Sequence, residues 1–188
     1  VVNSDPDQGL LGSWGGLVVV NAQTESILRY TRVVGAVGSR LPERQDSYGL
    51  TGCITFYKSD VLIEDSVFDD LQCEDALNIV SSNFTIRRLE VIGANADAFD
   101  SDYSTGTVTN SRFSNIANDG IDMSGSEVEV KSSQFVNIGD KAISVGERSN
   151  LNASGLTIDR SVAGVVSKDK SVAHIYDSNF GSISGSAL

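Results

Sequence analysis

Asp97 and Asp119 stand 22 residues apart, as do Asp100 and Asp122, and Asp102 lies two residues after Asp100. Carboxylates repeated at a fixed interval form a row if the segments that carry them stack. Such a row, about 4.8 Å from one turn to the next, repels itself unless cations, raised pKa values or hydrogen bonds intervene. Hard carboxylate oxygens with Asn and Ser beside them suit Ca2+ better than Zn2+, which favours His and Cys. Asp97, Asp100, Asp102, Asp119 and Asp122 are therefore the candidate metal ligands. The competing reading is that they make Asx turns at a recurrent bend, where their oxygens are satisfied locally.

Three basic residues belong to the same strip. Lys141 continues the Asp97–Asp119 column, Lys168 continues the Asp102 column, and Arg148 lies between them. They either close an acidic ladder as counter-ions or supply a base that takes the proton next to a Ca2+-neutralised uronate carboxylate. The single histidine, His174, precedes Ile175 outside the strip and reads as a surface residue. Triad and zinc-hydrolase mechanisms then lack the side chain they need.

The chain that must position these groups has 188 residues, with 14 Lys+Arg against 25 Asp+Glu and a formal charge of −11. That balance repels phosphate backbones and anionic membranes, so cations are the expected partners and nucleic acid is not. The longest apolar run, Leu17–Val20, is strand-sized and far short of a membrane span of about 18 residues. The chain begins at Val1 without a basic-then-apolar leader, which reads as a mature product or an excised piece. Two sequons, at Asn83 and Asn152, carry little weight.

Self-similarity supplies the frame. Val33, Phe68, Val91, Phe113, Phe135, Ile158 and Phe180 each end a short alternating run, and after a first gap of 35 their spacings are 22 or 23. Five residues before them stand Leu28, Ile63, Ile86, Val108, Val130, Ala153 and Ile175. A period near 22 fits one turn of a parallel β-solenoid with about three short strands. The recurrent Leu frame of a leucine-rich repeat is missing. The fold class is therefore all-β, a right-handed parallel β-helix of roughly seven to eight turns, right-handed because parallel crossovers are.

A second strip follows each anchor. Ile54, Leu77, Phe99, Ile121, Ile143 and Val165 form a column that must point inward, and the strand period of two turns its neighbours outward. The outward files are Thr55, Asn78, Asp100, Asp122, Ser144, and then Tyr57, Val80, Asp102, Ser124, Gly146, Lys168. Cys53, Ala76, Ala98, Gly120, Ala142 and Gly164 also fall in an outward position, making the expected site a shallow acidic groove floored by small residues.

The long first gap places a loop at residues 37–51, just before the strand of Cys53. Its Arg40, Arg44 and Tyr48, with Tyr57 and Tyr103 on the strip, are the expected wall for a sugar or anionic ligand. Cys53 and Cys73 lie on adjacent turns but three alignment positions apart, an offset that argues against a relaxed disulfide. Residues 1–188 read as one β-helix domain, expected to belong to a larger chain with further turns, caps or neighbouring domains, because neither end shows a covering helix.

With these columns the chain resembles the right-handed parallel β-helix repeat proteins of the pectate-lyase-like superfamily. The strip DALNI, DAFDSD, DGIDMSGS, DKAISVGERS, with LTGCITFY and the upstream WGGL, resembles the β-helix region of large secreted microbial proteins, some of which bear a spore-coat-type kinase-like domain. The resemblance implies an extracellular module that binds cations or polysaccharide, structural or adhesive in role. It also implies an alternative, a Ca2+-dependent lyase or epimerase acting on a uronate polymer, with Lys141, Lys168 or Arg148 as base. The sequence departs from the galacturonase pattern: its only adjacent Asp pair, Asp69–Asp70, lies off the strip, and no His follows it.

Overall fold

Residues 14–38 and 50–188 are described by a computed structural model, and every regular element in them is a β-strand. Three strand files recur along the chain. The strip file comprises β1 (Leu17–Val20), β4 (Gly52–Tyr57), β6 (Asp75–Val80), β8 (Asp97–Asp102), β11 (Ile121–Ser124) and the ends of β13 (Gln134–Gly146) and β15 (Thr157–Ser167). The second holds β2 (Ser26–Arg29), the starts of β5 (Val61–Leu71) and β7 (Asn83–Ala94), β9 (Thr105–Thr109), β12 (Glu127–Lys131), β14 (Asn150–Ser154) and β16 (Val172–Tyr176). The anchors lie on the third, which holds β3 (Arg32–Val34), the ends of β5 and β7, β10 (Arg112–Ile116), the starts of β13 and β15, and β17 (Asn179–Ile183). Each strand pairs in parallel with its counterpart one turn on, so seven strands stack in each file.

The register is the one the repeat dictates. Val33 pairs with Phe68, Phe68 with Val91, Val91 with Phe113, Phe113 with Phe135, Phe135 with Ile158 and Ile158 with Phe180. On the strip Ile54 pairs with Leu77, Leu77 with Phe99, and Ile121 with Ile143. Both sets are buried in one continuous core, with Phe180 half-buried against its end, and the Phe113 and Phe135 rings stack at 5.0 Å. Among the described residues no helix is long and apolar enough to cross a membrane.

The corners explain the Ser- and Asn-rich texture. Each turn changes direction three times, and most of these changes use a residue in the left-handed region, for example Ser81 (φ 51°), Arg88 (φ 50°) and Gly93 (φ 74°). The residue after the corner is often serine, whose hydroxyl accepts a backbone N–H from the turn before. Ser59 N–H donates to Ser82 Oγ at 2.8 Å, Ser82 to Ser104 at 3.2 Å, Ser104 to Ser126 at 3.0 Å, Ser126 to Ser149 at 3.0 Å and Ser149 to Ser171 at 3.0 Å. A strand ladder is interrupted where the chain turns, and these hydroxyls satisfy the amides it leaves behind.

Two sequence expectations are corrected here. The small file does not floor an outer groove. A Cβ added to Gly120 would lie 2.7 Å from Phe135 Cδ1, and one added to Gly164 would lie 2.8 Å from Phe180 Cδ1. These positions are small because the anchor ring of the next turn leans over them from inside, and Ala76, Ala98 and Ala142 are fully buried. The bend between anchor strand and strip breaks the alternation on which the outward assignment rested.

The same bend joins Cys53 and Cys73, which are disulfide-bonded with Cα atoms 5.5 Å apart. Cys53 faces the interior, and Cys73 sits where the next turn bends across it, so the alignment offset is absorbed by the corner. Loop residues 39–49, including Arg40, Arg44 and Tyr48, lie outside the described residues. The loop leaves beside the disulfide, where a Cβ on Gly38 would stand 3.5 Å from Cys73 Sγ, and returns at Thr51, whose hydroxyl bonds Asp75.

Candidate functional site: an acidic face on the strip

The strip strands bring the aspartates together in the order their spacing implies. Asn78 pairs with Asp100 and Asp100 with Asp122, while Asp102 pairs with Val80 and Ser124, so the carboxylates project from the same face of successive turns. Asn78 is buried, and its amide donates to Asp100 at 3.3 Å and to Asp102 at 3.1 Å. Its Oδ1 and the hydroxyl of Ser144, at either end of the Asp100–Asp122 file, are buried without a hydrogen-bond partner.

The leading edge works differently. Asp97 Oδ1 accepts the Asp119 N–H at 2.7 Å and the Asn118 amide at 2.7 Å. Asp119 Oδ1 accepts the Lys141 N–H at 2.9 Å, and the Lys141 ammonium sits 3.2 Å from both Asp119 oxygens. These carboxylates are therefore satisfied by the next turn's backbone at the bend rather than by local Asx turns.

Burial dominates the electrostatics. It pushes the Asp75 carboxyl up to about 7, against the Thr51 hydroxyl and with help from the charge of Asp97. Asp100 is raised to about 9, first by burial and then by Asp75, Asp102 and Asp122. Asp102 is raised by burial too, opposed by the Asn78 amide, and Asp97 is raised by burial against the Asp119 N–H. Asp119 reaches about 6, burial being opposed by the Lys141 N–H and ammonium. Asp75, Asp97, Asp100, Asp102 and Asp122 have no Lys or Arg within ion-pair distance among the described residues.

Basic groups elsewhere are mostly engaged. Arg29 and Arg88 clasp Glu64, and Arg88 also holds Asp65. Lys141 bridges Asp119 and Asp140. Partial burial pulls its pKa down, but Asp140 and Asp119 hold it above the ordinary lysine value, as befits a counter-ion rather than a proton acceptor. Arg148 and Lys168 lie further along, exposed and outside any ion pair among the described residues. Tyr57 is half-buried at the end of β4, with the Lys58 ammonium 5.2 Å from its ring centre. Tyr103 is exposed at the corner after β8, and His174 is exposed on β16, away from the strip.

All the donors on the acidic face are oxygens, the chemistry a Ca2+ ion takes, yet among the described residues no three His, Cys, Asp or Glu side chains converge as a ready ligand set. Asn78 was visible in the sequence as a member of the Asp100 file. Its role as donor to two carboxylates depends on side-chain geometry that spacing does not carry.

A family model described as a right handed beta helix region matches residues 46–186. The chain belongs to the right-handed β-helix family. The match covers the strip from β4 onward and all its aspartates, so the acidic face is part of the β-helix itself. No curated protein matches the chain.

Proposed function

We propose that this β-helix is an extracellular binding module whose acidic face takes up cations and, with them, polysaccharide. The observation that carries the proposal is the row of five carboxylates, Asp75, Asp97, Asp100, Asp102 and Asp122, with no basic partner among the described residues. Burial disfavours the charged form of Asp75, Asp97, Asp100 and Asp102, and protons or cations from solution offset that cost. Ca2+ tolerates irregular oxygen coordination completed by water, which suits donors contributed by two adjacent turns. Asp100 and Asp122, one turn apart, with Asp102 two residues along the strand from Asp100, would hold it. A bound cation would in turn accept hydroxyl or carboxylate oxygens of a glycan.

The lyase or epimerase reading draws less support, because Lys141 is paired and its pKa is raised. Titration calorimetry with CaCl2 at pH 8 tests the proposal. Saturable heat that disappears in Asp100→Asn/Asp122→Asn supports it, and no saturable heat in the wild-type chain removes it.

A further inference from the structure

The corner that follows the strip changes shape along the solenoid. At Tyr103 and Gly125 one left-handed residue makes the turn, whereas Glu147–Arg148 and Asp169–Lys170 each use two, with φ of 55° and 67° and of 54° and 65°. Ser149 N–H donates to Gly146 O and Ser171 N–H to Lys168 O, both at 3.0 Å, closing these wider turns. Paired left-handed positions ordinarily select Asn and Gly, yet both turns carry an acidic residue followed by a basic one. The wider corners form one wall of an open groove of about 450 Å³ lined by Tyr103, Glu147, Arg148, Asp169 and Lys170.

Two features make this groove unlike the rest of the surface. Tyr103 is 66% exposed, and its ring lies over Gly125, where a Cβ would come within 2.7 Å of Cδ1. The glycine accepts the ring edge-close and leaves an aromatic surface open to solvent. Arg148, Lys168 and Lys170 are exposed and make no ion pair among the described residues, whereas the other arginines and lysines described here are mostly held by acidic or polar neighbours. Lys168 stands three turns from Asp102, roughly 14 Å at 4.8 Å per turn, beyond the screening length of about 8 Å in physiological salt.

The geometry points to a second subsite at this corner for an anionic sugar, a pyranose stacked on Tyr103 with its carboxylate or sulfate held by Arg148 and Lys170. An amphipathic ring presents a C–H face to an aromatic and its charged group to a guanidinium fork, and the groove offers both within one wall. Lys168, whose stem passes over Gly146, adds positive charge beside it. This inference rests on the polysaccharide-binding reading above.

The test is biolayer interferometry of the full chain on immobilised polygalacturonate, dextran sulfate and neutral dextran, at low salt. Binding to at least one anionic polymer and not to dextran is expected, and the preferred polymer tells carboxylate from sulfate. Arg148→Gln/Lys170→Gln and Tyr103→Leu, the latter keeping Gly125 covered, should each weaken it by about tenfold or more with unchanged melting temperature. If the wild-type chain binds and these variants bind equally well, while Asp100→Asn/Asp122→Asn does not bind, the corner subsite is overturned and the acidic-face reading stands. If the wild-type chain binds none of the polymers, both are overturned for polysaccharide.

Discussion

Asp97 and Asp119 lie one turn apart, and the carboxylate of the first accepts the backbone N–H of the second at 2.7 Å. The bond repairs the ladder at the bend where anchor strand gives way to strip. Asp97→Ala should leave that amide and the Asn118 side chain without their acceptor and cost about 1 to 3 kcal/mol in urea unfolding. The loss should be the same with and without Ca2+, since the role is one of backbone support.

Stability should fall as pH rises. The carboxyls of Asp119, Asp75 and Asp100 titrate near 6, 7 and 9 in the folded chain, above their ordinary value of 3.8. The folded state therefore holds protons that the unfolded chain has released, so stability is greatest near pH 4 and declines towards pH 9. Urea midpoints at pH 5, 7 and 9 check this, and Asp100→Asn should flatten the upper part of the decline.

The Cys53–Cys73 bond closes a loop of 20 residues in sequence separation, which contains most of β4. Chain entropy assigns such a cross-link about 3 kcal/mol. Cys53→Ser/Cys73→Ser should lower stability by that order, and a reductant should lower the wild-type melting temperature while leaving the double variant unaffected.

Gly120→Val tests why the small file is small. The new side chain would enter the space held by the Phe135 ring and the Ala142 carbonyl, and overpacking of this kind costs about 1 to 3 kcal/mol. A neutral result by thermal denaturation would mean that the position faces solvent after all.

These cases also show what could be read from residues alone. The anchor pairs from Val33 to Phe180 and the strip pairs Leu77–Phe99 and Ile121–Ile143 follow from spacing, because parallel stacking converts a repeat directly into register. The orientation of Gly120 and the bonding of Cys53 were misjudged at a single kind of place, the bend, where the period of two does not hold. The serine ladder through Ser82, Ser104 and Ser126 was equally present as a 22-residue spacing, but hydroxyls that accept backbone amides look like ordinary loop polarity in a sequence. Among the acidic residues, position in the file followed from the repeat. Which carboxylates accept the backbone of the next turn, as Asp97 and Asp119 do, and which accept only a side chain or their own neighbour, as Asp100 does from the Asn78 amide and Asp122 from the Met123 N–H, depends on local geometry.

The acidic row without basic partners is the core of the functional account, and calorimetric melting at pH 8 in chelator and in millimolar CaCl2 tests it most directly. At a hundredfold excess over the dissociation constant, binding to the folded state alone adds about 2.7 kcal/mol, or about 5 to 10 °C for a chain of this size. The account predicts a rise of that order in the wild-type chain, smaller at pH 5 where Asp75 and Asp100 already hold protons, and none in Asp100→Asn/Asp122→Asn. Identical wild-type melting temperatures in the two media at pH 8 would contradict it.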